Sequence, residues 1–177
     1  GSYNNGAVDV PAIQSPVVTV DSANVKAVLL DSGYYDAADF TGLDTMGAEA
    51  PAAEEVAGKV GIILPTKDEP RWVQDEARFK EALEAAGYEV EILFSQGDSA
   101  KEKANVEDLI TKGVKVIIFT PQDGTAAAAA ADAAKEAGVA VISYDRLIRE
   151  TDAVDYYVTF DSLAVGAQQA QYLVDAA

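Results

Sequence analysis

The 177-residue chain has no cysteine and no histidine. Without them there is no thiol nucleophile, no disulfide, no Cys/His zinc site and no imidazole to serve as general base. Positive charge is scarce as well: 13 Lys and Arg stand against 30 Asp and Glu, a formal net charge of −17. That balance argues strongly against nucleic acid, whose phosphates need basic side chains, and disfavours an anionic membrane surface. Its plainest consequence is solubility. No apolar run approaches the length of a membrane span, no signal peptide is evident, and Gly1-Ser2 is compatible with a cloning remnant.

Other absences narrow the chemistry. No GxGxxG follows the first strong strand, no GxxxxGK[ST] occurs anywhere, and residues 65–70 contain no glycine to close a backbone on a pyrophosphate. A phospho-acceptor domain would need acids at the ends of its first and third strands, but here the third ends Phe119-Thr120-Pro121. No nucleophile–base pair is on offer. The expectation is a binding protein rather than an enzyme, with no cofactor and no metal.

What is present is globular: 49% of the residues are hydrophobic, enough for one domain with a sizeable core. Apolar runs at 60–64, 88–94, 114–119, 139–143 and 155–159 predict strands, and amphipathic or Ala-rich stretches at 71–86, 100–112, 125–137 and 163–177 predict helices. In the helix at 71–86, Trp72, Ala77, Phe79, Leu83 and Ala86 are available to the buried side. Val106, Leu109 and Ile110 should face inward from the next helix. Gly87, Gly113 and Gly138 each close a helix just before a β-branched or aromatic run. This alternation predicts an α/β fold, a three-layer parallel sheet with helices on both faces. Residues 1–42 differ. Asn4-Asn5-Gly6 signals a turn, and residues 8–20 look extended but carry Pro11 and Pro16, which predicts an edge strand or a crossover. Asp21-Ser22 is placed to cap a short helix at 25–30. Residues 43–58, rich in Ala, Glu, Gly and Pro, predict a mobile linker.

In a parallel sheet the loops after the first, third and fourth strands of the repeat share the carboxyl edge, where such sheets bind ligands. They hold Lys67, Arg71 and Trp72, then Gln122 and Asp123, then Asp145 and Arg146. Guanidinium and carboxylate groups beside an aromatic plate suit a polyhydroxylated ligand. Asp145 and Arg146 fit an ordinary loop ion pair equally well, and Trp72 fits a core position. For Asp123 the turn and helix-cap reading is the stronger one.

The runs VGIILPTKDEPRW, VKVIIFTPQDGTA, VAVISYDRLIRETDAVDYYVTFDS and VGAQQAQYLVD resemble the type I periplasmic sugar-binding proteins of ABC transporters, in particular the xylose-binding and multiple-monosaccharide-binding receptors. The resemblance implies one lobe of a type I periplasmic-binding fold at 59–162, with 163–177 leading into a second lobe. It implies sugar contacts from Arg71, Trp72, Asp145 and Arg146, and Lys67 at the rim. Where relatives carry Asn after Phe-Asp, this chain has Ser162. Residues 1–42 are similar to the carboxyl-terminal tail of the same receptors, which implies a circularly permuted order. The implied partners are a monosaccharide of the xylose, glucose, galactose or arabinose class, a complementary second-lobe chain or a second copy, and, for the parent, an ABC permease. The parent is expected to be periplasmic or an extracellular lipid-anchored receptor. The alternative is an engineered split or permuted module whose role is to pair with a complementary chain. A regulator of the same fold is disfavoured, because no helix-turn-helix or basic region precedes the lobe.

Overall fold

The computed structural model describes residues 1–15, 28, 29, 31 and 58–175. The expected linker up to residue 57, the extended stretch 16–20 and most of the helix at 25–30 lie outside the described residues. The chain divides into two units, Gly1–Ser15 with Ala52–Phe160 and Pro16–Pro51 with Asp161–Ala177.

The first unit is built on β1 (Ser2–Asn4), β2 (Asp9–Ser15), β3 (Lys59–Leu64), α1 (Pro70–Ala85), β4 (Glu89–Phe94), α2 (Ser99–Thr111), β5 (Val116–Phe119), α3 (Ala128–Glu136), β6 (Ala140–Tyr144) and β7 (Tyr156–Phe160). Seven strands form one sheet in the order β1-β2-β7-β6-β5-β3-β4. Only the β1–β2 hairpin is antiparallel. β3 lies inside the sheet, which explains its unbroken apolar run: Val60, Ile62 and Leu64 bury on one face and Ile63 on the other.

The two faces are packed by different helices. α1 places Trp72, Phe79 and Leu83 over Val60, Ile62 and Leu64. α2 and α3 cover the opposite face through Val106, Leu109, Ala130, Ala131 and Ala134. α2 comes so close to β3 that a Cβ at Gly61 would lie 2.8 Å from Leu109 Cδ1. Ala77, expected on the buried side of its helix, is exposed. It sits five residues from Trp72, half a turn off the stripe that Phe79 and Leu83 continue.

Of the two alternatives for the proline-bearing segment, the edge strand needs correction over residues 9–15, and Pro16 lies outside the described residues. β2 is flanked on both sides, and β1 takes the edge. Residues 9–11 pair with β1 and residues 12–15 pair with β7, so Pro11 stands where β7 makes no ladder bond. The missing N–H therefore costs nothing. Asn5, fully buried, docks this hairpin: its Nδ2 donates to Thr151 O at 2.6 Å and its Oδ1 accepts from the N–H groups of Ala7 and Val8.

In the second unit, α4 (Ser162–Asp175) begins at Asp161, whose carboxylate accepts from Ala164 N at 2.9 Å, an N-cap. No described helix is long and apolar enough to cross a membrane.

Candidate ligand-binding site

The carboxyl ends of β3, β5 and β6 carry the loops singled out above. Pro70 opens α1 as its first helical residue, a position where a missing N–H is harmless and φ is already helical. The helix therefore starts with Arg71 and Trp72 at the sheet edge. The loop after β6 turns back on itself at Asp145. Arg146 N donates to Tyr144 O at 2.6 Å across Asp145, whose φ is +62°. An i-to-i+2 bond around a positive-φ residue is the rarer, strained form of the γ-turn. β7 holds it: Asp145 N donates to Val158 O at 2.8 Å, and Asp145 O accepts from the hydroxyls of Tyr157 and Thr159. Ser143 adds a second tie, donating to Arg146 O at 2.6 Å and accepting from Ile148 N. The following residues run against the β5–α3 loop so closely that a Cβ at Gly124 would lie 2.5 Å from Leu147 O. Only glycine fits there.

These turns bring four of the five candidate residues together. Arg71 Nη2 donates to Asp145 Oδ1 at 2.6 Å, although the two are 74 positions apart. The Arg71 guanidinium lies 4.5 Å from the Trp72 ring centroid and that of Arg146 lies 5.6 Å away, both within cation–π range. Arg146 Nη1 also donates to Pro121 O at 3.2 Å. Trp72 is 1% exposed, so its ring supports the two guanidiniums from below instead of facing solvent, and its Nε1 has no protein partner. Lys67 stands apart. It pairs with Glu76 at 3.1 Å and lies over the Phe94 ring, at the β4 side of the edge. Asp123 behaves as its sequence context suggests, accepting from Thr125 N and Ala126 N where the chain enters α3.

Two neighbours complete the charge pattern. Asp75, one turn beyond Arg71, lies 3.8 Å from Arg71 Nε and accepts from the Tyr144 hydroxyl at 3.2 Å. Burial lifts the Asp75 carboxyl above its ordinary range, against the pull of Arg71. Burial, then the Asp75 charge, pushes the Tyr144 hydroxyl up to about 12. For Arg71 burial is the largest influence and acts downward, but Asp145 and Asp75 outweigh it and hold the guanidinium above its usual value. The cluster sets the guanidiniums of Arg71 and Arg146 beside the carboxyl groups of Asp145 and Asp75. It offers fixed cationic donors and an anionic acceptor, the pattern that grips vicinal hydroxyls. Glu102, on α2, went unnoticed in the sequence reading. It is 1% exposed, its Oε2 accepts from Gln122 N at 2.8 Å, and its Oε1 has no protein partner. The available signal was its place in the Glu102–Val106–Leu109 stripe, where an acid interrupts an apolar face.

A sheet of this topology with a charged, aromatic-backed wall at its carboxyl edge defines a ligand-binding α/β lobe. The chain belongs to the periplasmic binding proteins: the periplasmic binding protein domain matches residues 60–177. Over 126 residues it is 42% identical to the multiple sugar-binding periplasmic receptor ChvE of Rhizobium radiobacter, covering 71% of this chain and 36% of the receptor. It is 32% identical to the D-xylose-binding periplasmic protein of Escherichia coli over 71% of this chain and 37% of that one. A carbohydrate transporter solute-binding protein from Chloroflexus aurantiacus, solved in complex with D-glucose, superposes with a TM-score of 0.63 at 78% identity. That match covers 67% of this chain and 36% of the solved one. The chain thus spans about a third of the length of these relatives.

Proposed function

We propose that this chain supplies one wall of a monosaccharide site in a solute receptor of an ABC transporter, binding sugar without breaking a bond. The observation that carries this reading is the Arg71–Asp145 pair, 2.6 Å long, set beside Trp72 at the carboxyl edge. Arg71 and Arg146 would donate to sugar hydroxyls and Asp145 would accept from them. Trp72 would meet the apolar face of the ring as Arg71 turns to the ligand, and Lys67 would serve the rim. A sugar lacking one of these hydroxyls would leave a buried polar group unpaired, which is the basis of selectivity. The relatives are named as receptors and binding proteins, which favours this reading and gives the pairing-module alternative no support.

Residues 59–162 form the sugar-binding lobe in this reading, and 163–177 lead towards a second lobe. Residues 1–42 act as the returning tail of a circularly permuted receptor, joined by 43–58. The parallel pairing of β2 with β7 supports that placement, since it sets residues 12–15 beside the last strand of the lobe. The parent would work outside the cytoplasm, with hinge closure around the sugar creating the surface read by a permease.

Isothermal calorimetry with xylose, glucose, galactose and arabinose tests the reading. The chain by itself is expected to bind weakly or not at all, and a fragment supplying the second lobe restores binding. Tight binding by the chain alone would refute the half-site. If the fragment restores binding only when it carries its own copy of residues 1–42, the permutation is wrong.

A further inference from the structure

Glu102 is the one carboxylate among the described residues that is wholly enclosed, and it stands behind the site, not in it. It sits in the first turn of α2, where Glu102 N bonds to Asp98 O and the helix dipole favours a negative charge. Its single fixed hydrogen bond goes to the backbone of Gln122, in the loop after β5. One residue earlier in that loop, the Pro121 carbonyl accepts from Arg146 Nη1. Arg146 in turn lies over Trp72. A continuous path therefore joins a buried carboxylate to the Arg146 guanidinium through two residues, Gln122 and Pro121.

We propose that the Glu102 carboxylate is a positioning residue for Arg146: by fixing the Gln122 N–H it sets the loop whose Pro121 carbonyl anchors the guanidinium, so that loss of its charge loosens Arg146 over Trp72. This rests on the sugar-site reading only for its consequence, a lower sugar affinity when Glu102 is protonated. The groups that face Glu102 are Ser95 from the loop after β4, Gln122 N–H and Asp123 from the loop after β5, and Arg146 from the loop after β6. Burial raises the carboxyl to about 7, while the Gln122 N–H, Ser95 and the Arg146 charge favour ionisation and Asp123 opposes it. The switch between the two states therefore falls close to neutrality. Above it the carboxylate draws both the loop and Arg146. Below it the hydrogen bond to Gln122 weakens and the attraction to Arg146 is gone.

The chain contains one tryptophan, so its emission, excited at the red edge of the indole band where the eight tyrosines do not absorb, reports Trp72 alone and needs no sugar. A pH titration of that emission is expected to show an inflection near pH 7 that disappears in Glu102→Gln, whose amide can still accept from Gln122 N–H but carries no charge. Any step contributed by Asp75 remains in that variant. Arg146→Met is expected to remove the inflection as well, because the reporter contact is gone. An inflection unchanged in a folded Glu102→Gln would overturn the proposal. Should that variant fail to fold by circular dichroism, carbon-13 detection of the Glu102 carboxyl in the unaltered chain decides. A titration midpoint matching the Trp72 emission supports the proposal, and a midpoint more than a unit away refutes it. D-glucose is then added with the second-lobe fragment at pH 6 and pH 8. An intact inflection with no glucose binding at either pH upholds the positioning role and sinks the sugar reading instead.

Discussion

The two faces of the sheet differ in how completely they are packed. Among the described residues, the face under α2 and α3 encloses eighteen buried side chains in a single cluster, whereas the face under α1 encloses four, with Phe79, Leu83, Tyr88 and Tyr144 only partly covered. Further along the α1 face, Ile13 is 65% exposed and Tyr156 53%. The candidate site lies where the lightly packed face meets the carboxyl edge, since Arg71 and Trp72 both come from α1. Among the described residues, burial is thus concentrated on one side and the candidate site on the other. A lightly packed edge of this kind is free to hold strained turns and half-exposed charges.

The largest expected effect sets the faces directly against each other. Leu109→Ala, which would empty the space above Gly61, should cost about 2–5 kcal/mol in urea unfolding. Phe79→Ala on the α1 face should cost about 1–2 kcal/mol, because that ring is only half-buried. Equal costs would erase the distinction between the faces. Next in size is the pH dependence of Glu102. Its folded carboxyl titrates near 7, above the ordinary 4.5, so its contribution is most favourable below about pH 4.5 and is lost as pH rises through 7. Relative to Glu102→Gln, the unaltered chain should lose up to about 3 kcal/mol between pH 4.5 and pH 8, read from urea unfolding at each pH. A difference independent of pH would mean that the carboxyl does not titrate there. The pH-dependent loss would place a functional cost inside the better packed face and so sharpen the contrast. Smallest in stability is Arg71→Met, expected within about 1 kcal/mol because the Arg71 side chain is itself nearly half-exposed. The same change should weaken sugar binding by the reassembled site roughly 10- to 100-fold in calorimetry. Loss of folding without loss of binding would reverse the roles assigned to the two faces.

Much of the fold was legible because local signals agreed with the global one. Strands expected at 60–64 and 139–143 and helices at 71–86 and 100–112 lie within two residues of the observed elements, since helix-stop glycines and apolar periodicity coincide there. Pro11 misled because proline constrains one side of a strand only, and no sequence pattern says which neighbour covers which half. The pairing of Arg71 with Asp145 was legible as chemistry but not as geometry, because a contact across 74 positions depends on where the sheet sets β3 and β6. Trp72 as a support under two guanidiniums was hidden for the same reason. Lys67 precedes Arg71 by only one helical turn's worth of sequence, yet the loop turns it towards Glu76 and Phe94. Glu102 was visible as a misplaced charge in an apolar stripe, but its link to the site runs through backbone atoms of Pro121 and Gln122, which carry no side-chain signature.

The turn at Asp145 has a consequence for how quickly the site can act. Its unfavourable φ is held by the hydroxyls of Tyr157 and Thr159 and by the Val158 carbonyl, all from β7. The carboxylate is thus preset before anything arrives, and the conformational cost of aiming it is met when the chain folds, not at each encounter. In the proposed binding, capture and release of a sugar would then not require this corner to be remade.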